Sequence, residues 1–295
     1  MVEKAVFDSS YLELRVFLRS WGRAELPPYL GSTLRGVIGQ SLYRTDKQTY
    51  DFLFANGKSH NGEKDIVNPY MIIPPPICKT KMIVEEREIL DFGIVLFGEA
   101  VSKAEALVRA LENINHYGLG AQRYPFTLEL IVNCQSNRVV WRNGQYYEWG
   151  IYSTKLSCCE IEHVLGVTIQ LQTPLRIRRQ GSLVTKITFP TLMRNITNRM
   201  IALTERYGGW VNLEEAKKIV EQSEKIQVVK EKLRIERIER YSNRLHEKMD
   251  FSGLMGEIEF AGELTPFTPW LYAAQVLHVG RNTTFGMGKM EMFFI

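Results

Sequence analysis

The order of patterns along the chain predicts an α+β protein made of two tandem ferredoxin-like (RRM-like) domains, each β-α-β-β-α-β, with a C-terminal glycine-rich loop. Three observations lead to this prediction. The chain has 295 residues, more than one average domain needs. Strand and helix patterns follow the same order in its two halves. In each half, a glycine turn separates the second long helix pattern from the last strand.

The first half starts with apolar residues that alternate over 11–18, the period of a half-buried strand. A helix pattern covers 30–43, and the polar stretch 45–68 predicts an exposed insertion. The later elements are strands at 70–73 and 81–97, a helix at 102–114, the turn Gly118-Leu119-Gly120, a strand at 126–132 and a hairpin over 138–149 turning at Asn143-Gly144.

The second half repeats this order. Its predicted elements are a strand at 164–171, a helix at 189–207, a short helix at 213–220, strands at 228–240 and 253–260, a helix at 270–279, the glycine-rich loop and a strand at 290–295. We therefore predict an N-terminal domain over 1–153 and a C-terminal domain over 154–295.

Composition limits the classes of function. The net charge of +4 permits an anionic partner without requiring one. The four cysteines, Cys78, Cys134, Cys158 and Cys159, form no CxxC pair, so we expect reduced thiols and no metal site. The chain has no apolar run of 18 residues and no signal-peptide core near its start. These features favour a soluble cytoplasmic protein without a membrane partner, and they indicate no cofactor.

The loop between the last helix and the last strand carries the strongest chemical signal. Gly280, Gly286 and Gly288 allow positive φ and a close approach of backbone to a ligand. Donors that suit phosphate oxygens stand among them, at Arg281, Asn282, Thr283, Thr284 and Lys289, and exposed backbone amides would add others. Because the loop closes a helix and opens a strand, it is neither a Walker A loop nor a dinucleotide fingerprint. The alternative is a glycine C-cap with a tight turn.

Taken together, these features resemble the CRISPR-associated RAMP superfamily, and within it the repeat-RNA-processing endoribonucleases, the sixth Cas protein family. The segments that carry the resemblance are Leu34-Arg35-Gly36, Phe97-Gly98-Glu99-Ala100, Gly118-Leu119-Gly120, Thr173-Pro174-Leu175-Arg176, Arg240-Tyr241-Ser242-Asn243-Arg244, Gly253-Leu254-Met255-Gly256-Glu257 and 278–288. The last two segments are the specific ones, and the whole set spans nearly the entire chain.

The resemblance implies a metal-independent endoribonuclease that binds CRISPR repeat RNA and cuts precursor crRNA once per repeat. A ribose 2′-OH would attack the adjacent phosphate and leave a cyclic phosphate. The reaction needs a base, an acid for the leaving 5′ oxygen, and cations or amides for the phosphate charge. Other CRISPR effector subunits and a second copy of the chain are further partners that the resemblance allows.

The first helix has no histidine, which departs from the family pattern. The candidates for the catalytic roles are therefore other residues. Tyr43 and Lys47 lie in that region instead and are candidates for catalysis. His278 precedes the glycine-rich loop and is the leading candidate for the base, while its alternative is a cap on its own helix. Arg281 and Lys289 would steady the phosphate charge.

Candidates for RNA contact outside the loop are arginines: Arg35, Arg176, Arg178, Arg179, Arg240 and Arg244. The last two lie on a predicted basic β-hairpin, which suits an RNA backbone or groove. Its alternative is a solvated sheet edge, because glutamates alternate with the arginines there.

Aromatic and histidine residues outside the loop have less definite roles. Tyr146, Tyr147, Trp149 and Tyr152 could stack on unpaired bases, but an interdomain core is the favoured interpretation. His116 and His163 have apolar neighbours and are predicted to be structural core residues.

Two other functions remain open from the sequence. One is a non-catalytic RNA-binding subunit of a CRISPR effector complex, which the absence of a histidine from the first helix favours. The other is an enzyme that binds a small phosphate compound or nucleotide through the glycine-rich loop. The missing Walker and Rossmann contexts disfavour it.

Overall fold

The computed structural model describes residues 6–55, 67–156, 161–242 and 247–295, without the side chains of 240–242 and 247–249. The chain forms two compact units. The N-terminal unit is Ser10–Lys155, and the C-terminal unit comprises Leu156–Ile295 with the short segment before Ser10. The division lies two residues after the predicted boundary. The sequence contained no indication that the first strand joins the second unit.

The elements up to the division follow in chain order. The strands are β1 Phe7–Asp8, β2 Ser10–Ser20, β3 Ala24–Leu26, β4 Tyr70–Ile73, β5 Met82–Val84, β6 Ile89–Phe97, β7 Phe126–Asn133, β8 Arg138–Arg142, β9 Gln145–Tyr146 and β10 Thr154–Lys155. The helices are α1 Gly31–Thr45, α2 Lys47–Phe54 and α3 Ala104–Glu112.

The C-terminal unit contains the remaining elements. Its strands are β11 Gly166–Leu175, β12 Arg178–Arg179, β13 Ser182–Leu183, β14 Trp210–Val211, β15 Gln227–Glu236, β16 Glu239–Ser242, β17 Glu247–Asp250, β18 Gly253–Ala261 and β19 Met290–Phe294. Its helices are α4 Phe189–Tyr207, α5 Leu213–Gln222 and α6 Thr268–Leu277.

The N-terminal unit is a two-layer structure in which helices cover one face of an antiparallel sheet. The strand order is β4-β6-β2-β7-β8-β9, and β10 pairs with β2. Leu12, Leu14, Val16 and Leu18 alternate along β2 and are fully buried. They pack into one core with the apolar faces of α1 and α3. The alternation read from the sequence therefore identifies the buried face correctly.

The C-terminal unit has the same topology. Its sheet has the order β15-β18-β11-β19, and each neighbouring pair is antiparallel. In both units the four core strands thus lie in the spatial order second, third, first and fourth. Phe189 of α4 packs edge-on against Phe260 of β18 and against Phe267, with ring centroids 5.0 Å apart in both pairs. The predicted repeat of one α+β arrangement is confirmed.

Two local predictions in the first half are wrong. The stretch after α1 is not wholly an insertion, because Asp46 caps α2 by accepting a hydrogen bond from the Thr49 amide at 2.9 Å. The predicted strand at 81–97 is two strands, β5 and β6. The backbone turns between them through Arg87, which has a φ of 66°. Residues 56–66 of the insertion lie outside the described part of the chain.

Candidate nucleic-acid interface

The glycine-rich loop (residues 278–289) joins α6 to β19 and is attached to the end of β11. Many of its backbone N–H groups bond to oxygen atoms of the protein itself, over distances of 2.8 to 3.4 Å. These donors are the amides of Val279, Arg281, Phe285, Gly286, Met287, Gly288 and Lys289. The expectation that exposed amides bind phosphate is wrong for these seven groups. These seven amides are therefore not available to a ligand.

The glycines of the loop permit close contact between backbone segments. Gly280 has a φ of 85°, and a Cβ at this position would lie 2.5 Å from the carbonyl oxygen of Arg176. Gly288 has a φ of 74°, and a Cβ there would overlap the carbonyl oxygen of Val279. Side chains at these two positions would collide with backbone, which cannot move aside. The two glycines hold the loop in shape.

His278, the leading base candidate, is only 1% exposed. Its imidazole donates a hydrogen bond to the backbone of Met287, at the far end of the loop. Its Nδ1 has no hydrogen-bond partner among the described residues. Burial, followed by the charges of Arg199 and Lys289, lowers the pKa of His278 to about 3. The neutral ring therefore connects the start of the loop to Met287 near its end. The buried position of His278 does not favour its predicted role as the base.

Arg199 is a buried residue of this site that the sequence analysis missed. It lies on the inward face of α4 and is 7% exposed. Its Nε donates to the carbonyl oxygen of Leu277 over 2.7 Å and so caps the end of α6. Burial lowers the pKa of Arg199 to about 10. The available signal was an arginine at helical spacing from Ile196 and Leu203, within an apolar stripe.

Arg176 follows the end of β11 and supports the loop from below. It is 3% exposed, and its guanidinium donates to the Ser252 carbonyl and lies 3.5 Å from the Asp250 carboxylate. Its carbonyl oxygen accepts from the Arg281 amide over 2.8 Å. Burial lowers the pKa of Arg176, while Asp250 acts in the opposite direction. A direct contact of Arg176 with RNA stays a prediction that this packing does not favour.

The exposed cations of the region are Arg178, Arg179 and Arg281. The charges of Arg178 and Arg281 both lower the pKa of Arg176, which places them near its guanidinium. We call Arg178 and Arg281, with Arg176 beneath them, the arginine surface. Like charges gathered in this way attract a polyanion. The β12–β13 hairpin that carries Arg178 and Arg179 was not predicted.

The other predicted side chains of the loop differ in exposure. Asn282 and Lys289 are half-buried, whereas Thr283 and Thr284 are buried, at 6% and 8% exposure. The two threonines begin a short 3₁₀ turn that ends before Gly286. Asn282 has a left-handed conformation with a φ of 64°, which asparagine tolerates well. Contact of these residues with RNA stays a prediction.

In the N-terminal unit, Tyr43 and Lys47 lie together at the α1–α2 corner, which we define as these two residues with Tyr50, Phe54 and Arg35. Tyr43 is 49% exposed, and the Nζ of Lys47 lies 5.9 Å from the centroid of its ring. Lys47 also pairs with the carboxylate of Asp51 at 2.5 Å. This hydrogen bond raises the pKa of Lys47, so the ammonium is charged at neutral pH.

The corner is supported by stacked aromatic rings. Tyr50 lies edge-on to Tyr43 at 5.1 Å and stacks on Phe54 at 5.6 Å, and Phe54 stacks on the buried Tyr70 at 4.6 Å. Arg35 lies 5.2 Å from the Phe54 centroid and donates from Nε to the Tyr70 hydroxyl over 2.9 Å. These contacts fix the half-buried guanidinium of Arg35 on α1. The structure thus brings three predicted residues, Arg35, Tyr43 and Lys47, to one corner.

The structure describes the backbone of the basic hairpin outside residues 243–246. β15 pairs with β18, and β16 pairs with β17 beyond a break in the ladder, with Arg240 opposite Met249. The predicted pairing of the strands is confirmed. Arg244 lies outside the described residues, and so does the side chain of Arg240. Their contacts with RNA stay predictions.

Two predictions of buried positions are wrong. Trp149 and Tyr152, assigned to an interdomain core, are 57% and 58% exposed. His116 and His163 are exposed as well. His163 has a φ of 59°, which fits a turn better than a strand interior. The buried positions of Ile114 and Val164 near them in sequence do not extend to the two histidines.

Two further features are absent from the described ranges, a metal-ligand cluster and a membrane-spanning helix. No group of three or more His, Cys, Asp or Glu residues is arranged there to hold a metal ion. No helix in the same part of the chain combines the length and hydropathy needed to span a bilayer.

Family comparisons match each half of the chain separately. Residues 169–290 match a family described as CRISPR-associated endoribonuclease Cas6. Residues 9–152 match a family described as an N-terminal domain. No curated protein matches the chain. Over residues 169–290, the Cas6 match confirms the resemblance indicated by the sequence.

Solved structures share the fold over nearly the whole chain. A Cas6 product complex has a TM-score of 0.60 at 16% identity and covers 96% of this chain and 99% of its own. Cas6 from Thermus thermophilus has a TM-score of 0.59 at 14% identity, covering 97% and 99%. A partial Cas6-RT-Cas1–Cas2 complex has a TM-score of 0.61 at 15% identity, covering 100% of this chain and 47% of the other.

Proposed function

From the match of residues 169–290 to the Cas6 endoribonuclease family, we propose that this chain binds CRISPR repeat RNA and cleaves precursor crRNA. That match is the observation that carries the proposal, and the shared fold supports it. The arginine surface and the α1–α2 corner each add exposed cations that suit an RNA backbone. Arg240 and Arg244 on the basic hairpin are proposed as further phosphate contacts.

The proposed reaction is an attack of a ribose 2′-OH on the adjacent phosphate, without a metal ion. A cyclic phosphate forms on one product, and the other leaves with a 5′-hydroxyl. Negative charge builds up on the phosphate oxygens, and a positioned cation lowers the barrier. Lys47 suits this task, because its ammonium is charged at neutral pH and its side chain is 62% exposed.

The base is the open role in this reaction. Tyr43 is exposed beside Lys47 and can contact RNA directly. His278 has the neutral imidazole that a base needs, but its ring is buried and bonded to Met287. We propose that His278 holds the loop in shape and that the reacting groups come from the α1–α2 corner.

A non-catalytic RNA-binding subunit is the second candidate, and the burial of His278 favours it. In that case the chain would hold repeat RNA for other CRISPR proteins. The relative in complex with Cas1 and Cas2 makes such partners reasonable for either function.

The test uses end-labelled repeat RNA from the host's own CRISPR array, incubated with the full chain in excess EDTA. We expect one discrete cut and a cyclic-phosphate end, which resists phosphatase until acid opens the ring to a phosphate monoester. Binding without any cut, with or without added divalent cations, would assign the chain to the non-catalytic class. A cut that requires a metal would overturn the proposed mechanism but not the substrate.

A further inference from the structure

Two large aromatic side chains are exposed on one short loop of the N-terminal unit. This aromatic loop (residues 147–152) follows β9. Trp149 and Tyr152 are 57% and 58% exposed, and the ring of Tyr147 lies edge-on to Trp149 at 5.6 Å. The family match and the proposed reaction assign no role to these rings. Trp149 thus combines high exposure with contact to a second aromatic ring, and one further exposed ring lies on the same loop.

The backbone of the aromatic loop is held firmly by buried contacts. Asn133 is fully buried, and its Nδ2 donates to the carbonyl oxygens of Gly150 and Tyr152 over 3.0 and 2.9 Å. The Tyr147 amide donates to the Val140 carbonyl over 2.8 Å. A Cβ on Gly150 would overlap the carbonyl oxygen of Val139, so the loop packs directly against β8. The rings are therefore presented from a rigid support, which lowers the entropy cost of binding.

The surroundings of the rings favour a nucleic acid over a protein. The Nη1 of Arg138 donates to the Trp149 carbonyl over 3.4 Å, and Arg142 is exposed on the same strand. Lys155 is exposed beyond the loop, while Glu148 is the acidic residue within it. The surface that a few rings offer among polar side chains is too small for a stable protein interface, which buries roughly 800 Å² on each partner. They do suit stacking on individual bases, with cations near the phosphates.

We propose that the aromatic loop is a stacking platform for unpaired bases of RNA, with Trp149 as its main ring, Tyr147 in contact with it and Tyr152 on the same loop. The inference rests on the proposed function in that RNA is the ligand. It adds that single-stranded nucleotides of that RNA are held on the N-terminal unit. Stacking depends on the face of a base, so the platform accepts every base.

The first measurement is fluorescence anisotropy with a labelled oligouridine of about 12 nucleotides, within the usual range of single-strand binding sites. Replacement of Trp149 by alanine (W149A) is expected to weaken binding about 5- to 140-fold, the loss of one stacked base. W149F should retain most of the affinity, because phenylalanine also offers a ring. The matched control is W21A, since Trp21 is 55% exposed on the same unit and donates to Thr127.

The second measurement is photocrosslinking of 5-iodouridine RNA, with the crosslinked peptide identified by mass spectrometry. A crosslink within residues 147–152 would support the inference. Equal affinities of W149A and W21A, without a crosslink there, would overturn it. So would unchanged RNA affinity together with loss of self-association in W149A, because the loop would then be a protein contact.

Repeat-RNA cleavage is measured separately. Cleavage with normal RNA binding by W149A would refute the platform alone, whereas no repeat binding by the wild-type chain would refute the proposed function.

Discussion

The glycine-rich loop and the α1–α2 corner were both candidates for catalysis, yet they present their polar groups in opposite ways. In the loop, His278 is 1% exposed and seven backbone amides donate within the protein. At the corner, Tyr43 is 49% exposed and Lys47 62% exposed. In the loop, the His278 ring and these seven amides keep the backbone in shape and Arg281 is exposed, whereas at the corner both candidate catalytic side chains are exposed.

This difference shows that glycine-rich composition and a nearby histidine do not by themselves make a reactive site. A buried polar group that finds a partner inside the protein avoids the cost of being left unpaired, about 1–3 kcal/mol. Groups that satisfy one another in this way stabilise the fold and are withdrawn from chemistry with RNA.

The largest expected effect is on cleavage, at the corner. K47A should slow single-turnover cleavage of repeat RNA about 100-fold, because the phosphate charge loses a positioned cation. Affinity should change much less, since one exposed cation contributes little to binding a long RNA. Cleavage rates are measured with the protein in excess over the RNA. Affinity is measured on RNA that carries a 2′-deoxy nucleotide at the cleavage site and cannot be cut.

The matched control for this variant is K103A. Lys103 lies on the same unit and its Nζ is 5.8 Å from the ring of Phe52, a setting similar to that of Lys47. A K47A rate equal to that of K103A would contradict a role of the corner in the reaction.

The next effect is on stability, in the loop. G288A should destabilise the C-terminal unit by about 3 kcal/mol or more, because its Cβ would overlap the Val279 carbonyl and its φ of 74° disfavours alanine. The control is G181A, with a φ of 83° and no atom within 4 Å of the added Cβ. It should lose only about 1 kcal/mol. Thermal unfolding of the two variants gives the comparison, and similar melting temperatures would refute the packed loop.

A smaller effect should appear as a pH dependence. The pKa of His278 is lowered to about 3 in the folded chain, against 6.5 ordinarily, so only the unfolded state takes up the proton between these values. Stability from this residue is complete above pH 6.5 and falls as the pH drops, by about 2 kcal/mol at pH 5. H278Q should remove this slope in urea unfolding measured at pH 7.5 and pH 5.

The same variant also tests the catalytic alternative for His278. If His278 were the base, H278Q would lose about 10²- to 10⁴-fold in cleavage at pH 7.5 with RNA affinity intact. If His278 only holds the loop in shape, the cleavage rate of H278Q should fall no further than loop stability and RNA affinity fall. A large loss of rate with unchanged affinity and stability would restore the catalytic role.

The smallest expected effect is on the salt dependence of RNA binding. Replacing Arg178 and Arg281 together by alanine should reduce the slope of log K against log salt by about 1.4 to 1.8, if each contacts one phosphate. The control replaces Arg23 and Arg109, two exposed arginines of the N-terminal unit that lie near Glu25 and Glu105 at 2.9 and 2.5 Å. Equal slopes for the two double variants would remove the arginine surface from the RNA site.

Prediction from sequence succeeded for most elements because their signals are local. The alternation along β2 and the apolar spacing of α4 identified both elements and their buried faces. It failed at α2, where a polar stretch hid a capped helix of two turns beginning after Asp46. It failed again at the β12–β13 hairpin, which is too short to have a period. Short elements are stabilised by their neighbours, and a single sequence does not display those contacts.

For the site, the sequence by itself determined which residue types are available and where the loop lies between α6 and β19. Only the tertiary structure decided which of them face solvent. His278 and Arg176 are buried beneath the loop, whereas Trp149 and Lys47 are exposed. The physical reason is that exposure depends on strands and helices far apart in sequence, such as β11 against the loop or Asn133 against Gly150. Local patterns specify which elements form, and long-range packing selects which side chains remain free to act.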